Sequence, residues 1–184
     1  MIVIQPYNPN WPNEFEALRA ELQAALGAFA LRVDHIGSTS VPGLAAKDVI
    51  DVQITVKNLA PEIAQRMAQA GFQASVANSD HVPAGEDANP EHWRKFLFKE
   101  KAGERRANIH IRVAGNPNQR YALLFRDYLR AHPNSAETVA VIKQQLAKYH
   151  ADDMDAYYDI KDPVYDLIWD AAQAWAKHTN WKEN

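Results

Sequence analysis

Residues 35–56 read HIGSTSVPGLAAKDVIDVQITV, and the last eight of them set the architecture. From Val49 to Val56 the hydrophobic period is two: Ile50, Val52, Ile54 and Val56 point one way, and Asp51, Gln53 and Thr55 the other. That pattern predicts a strand with one buried face and one polar face. A shorter strand, from about Leu31 to Ile36, runs straight into Gly37-Ser38-Thr39. Pro42 and Gly43 keep any helix between Ser40 and Lys47 short or broken. A strand that ends in Gly-Ser suits an anion, because glycine lacks a Cβ, tolerates positive φ and lets the backbone approach a phosphate closely. If a helical turn follows, its N–H groups and dipole favour negative charge. The Ser38 and Thr39 hydroxyls add hydrogen bonds, and Asp51 on the neighbouring strand can hold a divalent cation that bridges bound phosphates.

Outward from this stretch the elements alternate. Asn13 and Glu16 have capping-box spacing, Phe15, Leu18, Leu22 and Leu26 share a helical face, and Gly27 stands where a left-handed stop is expected. Pro61 opens a second helix that ends at Gly71, and Phe72–Val76 reads as a strand. Ala77 to Glu91 is polar, contains Pro83, Gly85 and Pro90, and is long for an unstructured connection; such segments are functional lids or disordered. Its His81, His92, Asp80, Glu86 and Asp87 lack metal-ligand spacing, so no site is built from them. Strands follow at Trp93–Lys99 and Arg106–Val113, the second alternating Ala107, Ile109, Ile111, Val113 against Arg106, Asn108, His110, Arg112. After Pro117 the chain is helical: about Arg120 to Ala131, then a helix opened by Asn134 with the stripe Val139, Ile142, Leu146, Tyr149, then one carrying Val164, Leu167, Ile168, Ala171 and Trp175. The expectation is α+β: one domain over residues 1–184, a mixed sheet of four or five strands, helices packed on one face, and a helical C-terminal part completing the core.

Bulk composition narrows the function classes. The chain has 184 residues, 47% hydrophobic and 23% charged, and a net charge of −3. That gives no footprint for general nucleic-acid binding. There is no cysteine, which excludes disulfides, thiolate zinc sites and cysteine nucleophiles. The start MIVIQPYNPNWP does not read as a signal peptide, and no stretch approaches the roughly 18 apolar residues of a membrane span. The compartment expected is the cytoplasm; the oligomeric state is not legible.

Gly-Ser followed by an acid on the next strand resembles the layout of nucleotidyltransferases. Three blocks resemble the GrpB family more specifically: HIGSTSVPGLAAKDVID from His35, RANIHIRV from Arg106 and LLFRDYLRAHP from Leu123. The opening VIQPYNPNWPNEF and the late Lys143 and Lys161 also fit, so the resemblance covers nearly the whole chain. It implies a nucleotidyltransferase-like fold, in a family some of whose members are fused to dephospho-CoA kinase. Asp48 stands where relatives usually have proline, and Asn108 where a second histidine often precedes His110. Active nucleotidyltransferases carry D-x-D on the central strand and a third acid on a neighbour; here Gln53 replaces the second acid and His110 occupies the matching later position. A two-metal transfer is therefore not expected; one divalent metal (Mg²⁺ or Mn²⁺) at Asp51, or none, is.

The expected site combines Asp51 and His110 as catalytic groups, the imidazole pKa being raised by the carboxylate. Gly37, Ser38, Thr39, Lys47, Gln53 and Arg112 are the phosphate and substrate contacts, with His35 either structural or a ligand group and Lys95 and Lys99 either groove cations or edge-strand protection. The expected function is a nucleotidyltransferase-like protein acting on or binding a nucleotide or other phosphorylated small molecule. The alternatives are an inactive nucleotide- or CoA-precursor-binding module and a partner-docking domain.

Overall fold

The apolar side of the strand at Ile50–Val56 decides what packs where. In the computed structural model, which describes residues 1–183, this strand (β2) is an interior strand of a five-stranded sheet with β1 (Arg32–Ile36), β3 (Gln73–Ala74), β4 (Phe96–Lys99) and β5 (Ala107–Val113). The order is β1-β2-β5-β4-β3. β2 and β5 are parallel, and the other neighbours are antiparallel, so the sheet is mixed. Helices α1 (Trp11–Leu26) and α2 (Pro61–Gln69) cover the apolar face. There Trp11, Phe15, Leu22, Leu26, Ile63 and Met67 pack on Val33, Ile50, Val52, Ile54, Ile109 and Ile111. Each such side chain removed from water contributes about 1.5–3 kcal/mol before conformational entropy is charged against it.

Helix α1 starts earlier than the capping-box spacing suggests. Trp11 is its first residue, Asn10 the cap and Pro12 lies in the first turn, where a missing N–H has no helical partner to lose. β3 is only two residues long, and β4 begins at Phe96 because a four-residue helix α3 (Pro90–Trp93) precedes it.

The C-terminal part is α4 (Pro117–Ala131), α5 (Pro133–Tyr149) and α6 (Met154–Thr179). These helices do more than complete the first core. α4 touches β1, β2 and β5, and the three helices build small cores of their own around Phe125 and Leu129, around Leu124 and Trp169, and around Leu146 and Tyr157. Two stripes face differently from their sequence pattern. On α5 the buried residues include Val139, Lys143 and Leu146, while Tyr149 is exposed. On α6 Leu167 is exposed and Trp169, Ala172 and Ala176 are buried. Trp169 wins because its ring packs tilted against Tyr121, 4.6 Å between centres, and its indole N–H donates to Glu86 at 2.7 Å, which satisfies the one polar atom of a large apolar group. Among the described residues no helix is long and apolar enough to cross a membrane.

Candidate functional site

The turn after β1 is built against β2. Ile36 is the register partner of Asp51, so Gly37 leaves the strand beside that carboxylate. Gly37 adopts φ 68° and ψ −173°, and a Cβ there would stand 2.8 Å from the Asp51 Cβ and 2.9 Å from its Cγ. Only glycine fits. Residues Ser38–Ser40 form a single 3₁₀ turn, with Ser40 Oγ donating to the Gly37 carbonyl at 2.6 Å. Three residues carry little macrodipole, so what the turn offers an anion is the N–H groups of Ser38 and Thr39 and the Ser38 hydroxyl. Thr39 is buried, and its hydroxyl lies 3.0 Å from His35 Nε2 and donates to the Val49 carbonyl at 3.4 Å. Its hydroxyl braces the turn from within, at the wall of the cleft.

His35 is structural in its contacts. Its ring stacks on Phe15 at 4.7 Å, and its carbonyl accepts from Arg126 at 3.1 Å. Burial, with Arg130 and Arg126 nearby, lowers its pKa to about 4, so the ring is neutral at pH 7.

The polar face of the sheet divides into two clusters. Asp51 and His110 share that face on adjacent strands, but the register sets Asp51 beside Asn108 and His110 beside Gln53. In the first cluster Asn108 donates to Asp51 Oδ1 at 2.7 Å and is itself held by Lys99. Burial pushes the Asp51 carboxyl up, while the Asn108 bond and the charges of Lys47, Lys143 and Lys99 pull it back. Asp48, the departure from the family's proline, accepts from the Trp11 indole at 2.8 Å and pairs with Arg105, tying α1 to the rim.

The second cluster centres on a residue that the sequence did not single out. Asp80 accepts from Arg112 Nε and Nη2, both at 2.8 Å, from Lys95 at 2.6 Å and from Asn118 at 3.0 Å. Burial alone would raise its carboxyl; the charge and hydrogen bonds of Arg112, with Lys95 and His110, override it and hold Asp80 below the usual carboxylate range. Arg112 also donates to Gln53 Oε1 at 2.7 Å, and Gln53, fully buried, donates to the Gln119 carbonyl at 3.1 Å. Arg112 and Gln53 are thus engaged with protein groups; Arg112 also lines the cleft, whereas Gln53 is fully buried. Lys95 is a buried member of this cluster, whereas Lys99 is exposed at the end of β4.

His110 is corrected by the same cluster. Its Nδ1 lies 3.3 Å from Lys95 Nζ and 3.2 Å from Arg112 Nη2, so it accepts and the ring proton sits on Nε2. The expected raising by Asp51 is reversed: burial, then Arg112 and Lys95, hold the imidazole well below its ordinary value. A ring in that state is a poor general base.

The segment carrying Asp80 is ordered as a strap. Ser79 bridges Arg94, His81 Nε2 lies 2.9 Å from Asp166, the Ala84 N–H donates to Asp166 at 3.3 Å, and Glu86 accepts from Trp169 and Gln173.

Between the Gly37 turn, the Asp51 cluster and helices α5 and α6 lies a cleft of about 860 Å³. Lys47, Lys99, Lys143 and Lys161 all line it. Lys47 donates to the Tyr158 hydroxyl at 2.9 Å, and Lys161 lies 4.0 Å from the centre of the Tyr165 ring and 2.5 Å from Asp162. Lys143 is buried and donates to the Ala45 carbonyl at 2.7 Å. The acids at the rim, Asp48 and Glu100, are occupied by Arg105 and the Ala107 N–H. Sequence reading named Lys47, Lys99, Lys143 and Lys161 separately but missed the lysine and tyrosine wall as a unit.

A divalent metal fits these residues poorly. Asp51 is the one carboxylate at the turn, one of its oxygens is taken by Asn108, and lysines surround it. Among the described residues no group of three or more His, Asp or Glu is placed to hold a metal ion.

A mixed sheet flanked by α1 and α2, with a Gly-Ser turn beside an acid on the interior strand β2, defines a nucleotidyltransferase-like fold. The structure of Cid1 in complex with its short product ApU overlays at TM-score 0.50 and 12% identity, covering 80% of this chain and 43% of that one; this is a likeness of fold. The chain belongs to the GrpB family, whose profile, described as GrpB protein, matches residues 1–171. The crystal structure of GrpB from Enterococcus faecalis is similar at 30% identity and TM-score 0.75, over 94% of this chain and 99% of that one. A dephospho-CoA kinase of Mycolicibacterium paratuberculosis is 38% identical over 192 residues, 96% of this chain and 47% of the relative. The chain spans about half the length of the first curated relatives it matches.

Proposed function

We propose that the cleft binds the phosphates of a nucleotide or nucleotide-like metabolite without a metal ion, the lysines supplying the countercharge. The observation that carries this reading is the set of four lysines, Lys47, Lys99, Lys143 and Lys161, lining one cleft beside the Gly37-Ser38 turn. Lysine is a point charge that meets a phosphate without fixed geometry, and a low-dielectric wall strengthens the attraction. Tyr158 and Tyr165 line the cleft with Lys47 and Lys161 beside their rings; the Tyr165 ring is already packed on Phe125, and the exposed Tyr158 ring is the aromatic contact left for a base. The nucleotidyltransferase-like fold and the kinase names of several relatives support an adenine nucleotide or CoA precursor as ligand class. The single carboxylate supports binding over two-metal transfer.

The test is a thermal-shift and calorimetric titration with ATP, dephospho-CoA and tripolyphosphate, each in EDTA and each with Mg²⁺. ATP stabilises the protein in EDTA, Lys47→Ala and Lys161→Ala weaken it, and Mg²⁺ does not help. Binding that appears only with Mg²⁺ overturns the metal-free reading. No shift with any of the three overturns the nucleotide reading.

A further inference from the structure

Helix α5 turns a lysine into its buried face. Lys143 lies with Val139 and Leu146 among the buried residues of that helix, and its side chain is 3% exposed while still lining the cleft. An ammonium has three donors, and among the described residues one of them is used, on the Ala45 carbonyl. One carbonyl is little for a buried amine with spare hydrogen-bonding capacity inside an anion-sized cleft.

The charged and titratable groups around Lys143 come from three elements: Asp51 on β2, Lys47 on the segment before it, and Lys161 with the Tyr157, Tyr158 and Tyr165 phenols on α6. Burial is the main cause that brings the Lys143 pKa down to about 7; Asp51 opposes it, and Lys47 and Lys161 add to it. The nearest carboxylate is already shared among several lysines. An arriving phosphate reverses the local field and favours the charged amine.

Resting on the reading of the cleft as a phosphate site, we propose that Lys143 stands in for the metal ion. It takes one proton from solvent onto its Nζ lone pair as the anionic ligand binds, and the resulting ammonium faces the phosphate. No covalent bond forms or breaks. Ligand affinity then depends on pH through this one group. It is flat below the pKa of the ligand-free amine and falls up to about tenfold per pH unit above it.

The experiment is calorimetric titration of ATP in EDTA near pH 8, in two buffers of different ionisation heat, on the whole chain. The expected result is uptake approaching one proton per ATP, with affinity declining as the pH rises from about 7 to about 9. Lys143→Met binds at least tenfold more weakly and takes up no proton. Lys143→Arg, charged at every pH tested, keeps the charge and loses the uptake, which covers the case in which the methionine variant does not fold. Asp51→Asn retains the uptake. ATP binding by the unmodified protein without proton uptake overturns the role of Lys143 and leaves the cleft standing as a nucleotide site. Uptake that vanishes in Asp51→Asn but survives in Lys143→Arg transfers the proton to the carboxylate and overturns the proposal as well. No ATP binding at all overturns both the cleft reading and this one.

Discussion

Gly37 and Asp51 exclude each other's side chains: the space a Cβ on Gly37 would occupy lies 2.8 Å from the Asp51 Cβ. The acid of the site and the turn of the site are therefore one packing unit. Neither can be altered without consulting the other.

Gly37→Ala meets this overlap and the strain of φ 68°, and lowers stability by about 2–4 kcal/mol. Combining it with Asp51→Gly removes the overlap but leaves the strain, so the double variant recovers part of the loss. Urea unfolding of both single variants and the double gives the coupling. Strict additivity would show that the two side chains do not compete for space.

Asp51→Asn removes a negative charge beside the proposed phosphates. With metal-free binding, ATP affinity in EDTA rises by about threefold to tenfold, because like charges no longer repel. Calorimetry measures it directly. A loss of affinity that Mg²⁺ restores in the unmodified protein would return Asp51 to the role of metal ligand.

Asp80→Asn leaves Arg112 and Lys95 buried without a counter-ion and costs about 3–5 kcal/mol, more than any exposed ion pair in the molecule. The same carboxylate makes stability pH-dependent. Its folded pKa is depressed, so its contribution is present above the unfolded value near 4 and is lost progressively as the pH falls below it. Urea midpoints from neutral to acid pH should fall less steeply in the variant than in the unmodified protein.

His35 acts through the opposite protonation state. Its folded pKa of about 4 lies below the unfolded value of about 6.5, so the unfolded chain gains the proton first as the pH drops. Stability supplied by the neutral ring is fully present above about pH 6.5 and is lost between there and about pH 4, by about 3 kcal/mol, with His110 adding a loss of the same sign. NMR titration of the two rings in the folded protein checks this; ordinary imidazole pKa values would refute it.

The sheet was legible because β2 and β5 each turn one apolar face to α1 and α2 and one polar face to the other side, which forces a strict alternation onto the sequence even though the polar face of β2 is itself largely buried. That alternation placed Asp51 and His110 on one face. It carried no register, and register is what separates them into two clusters. Asp80 lay in a stretch without periodicity, where a carboxylate has no reason to be buried until Arg112 and Lys95 are seen to surround it. The α6 face was misread by apolar count alone, since Leu167 is as apolar as its neighbours but Trp169 finds both an aromatic neighbour and a hydrogen-bond acceptor. Lys143 was visible as a charge between Val139 and Leu146, and only the cleft gives that charge a purpose.

The strap has a consequence for the order in which the molecule is made. His81, Ala84 and Glu86 take their partners from Asp166, Trp169 and Gln173, roughly eighty residues later in the chain. A ribosome delivers the whole sheet before it delivers those partners. The nascent chain therefore carries the strap without its α6 anchors until that helix emerges and docks, whereas the partners of Asp80, Lys95, Arg112 and Asn118, emerge earlier. Docking of α6 then anchors the strap and adds its part of the cleft wall in one step, so both wait for the same helix.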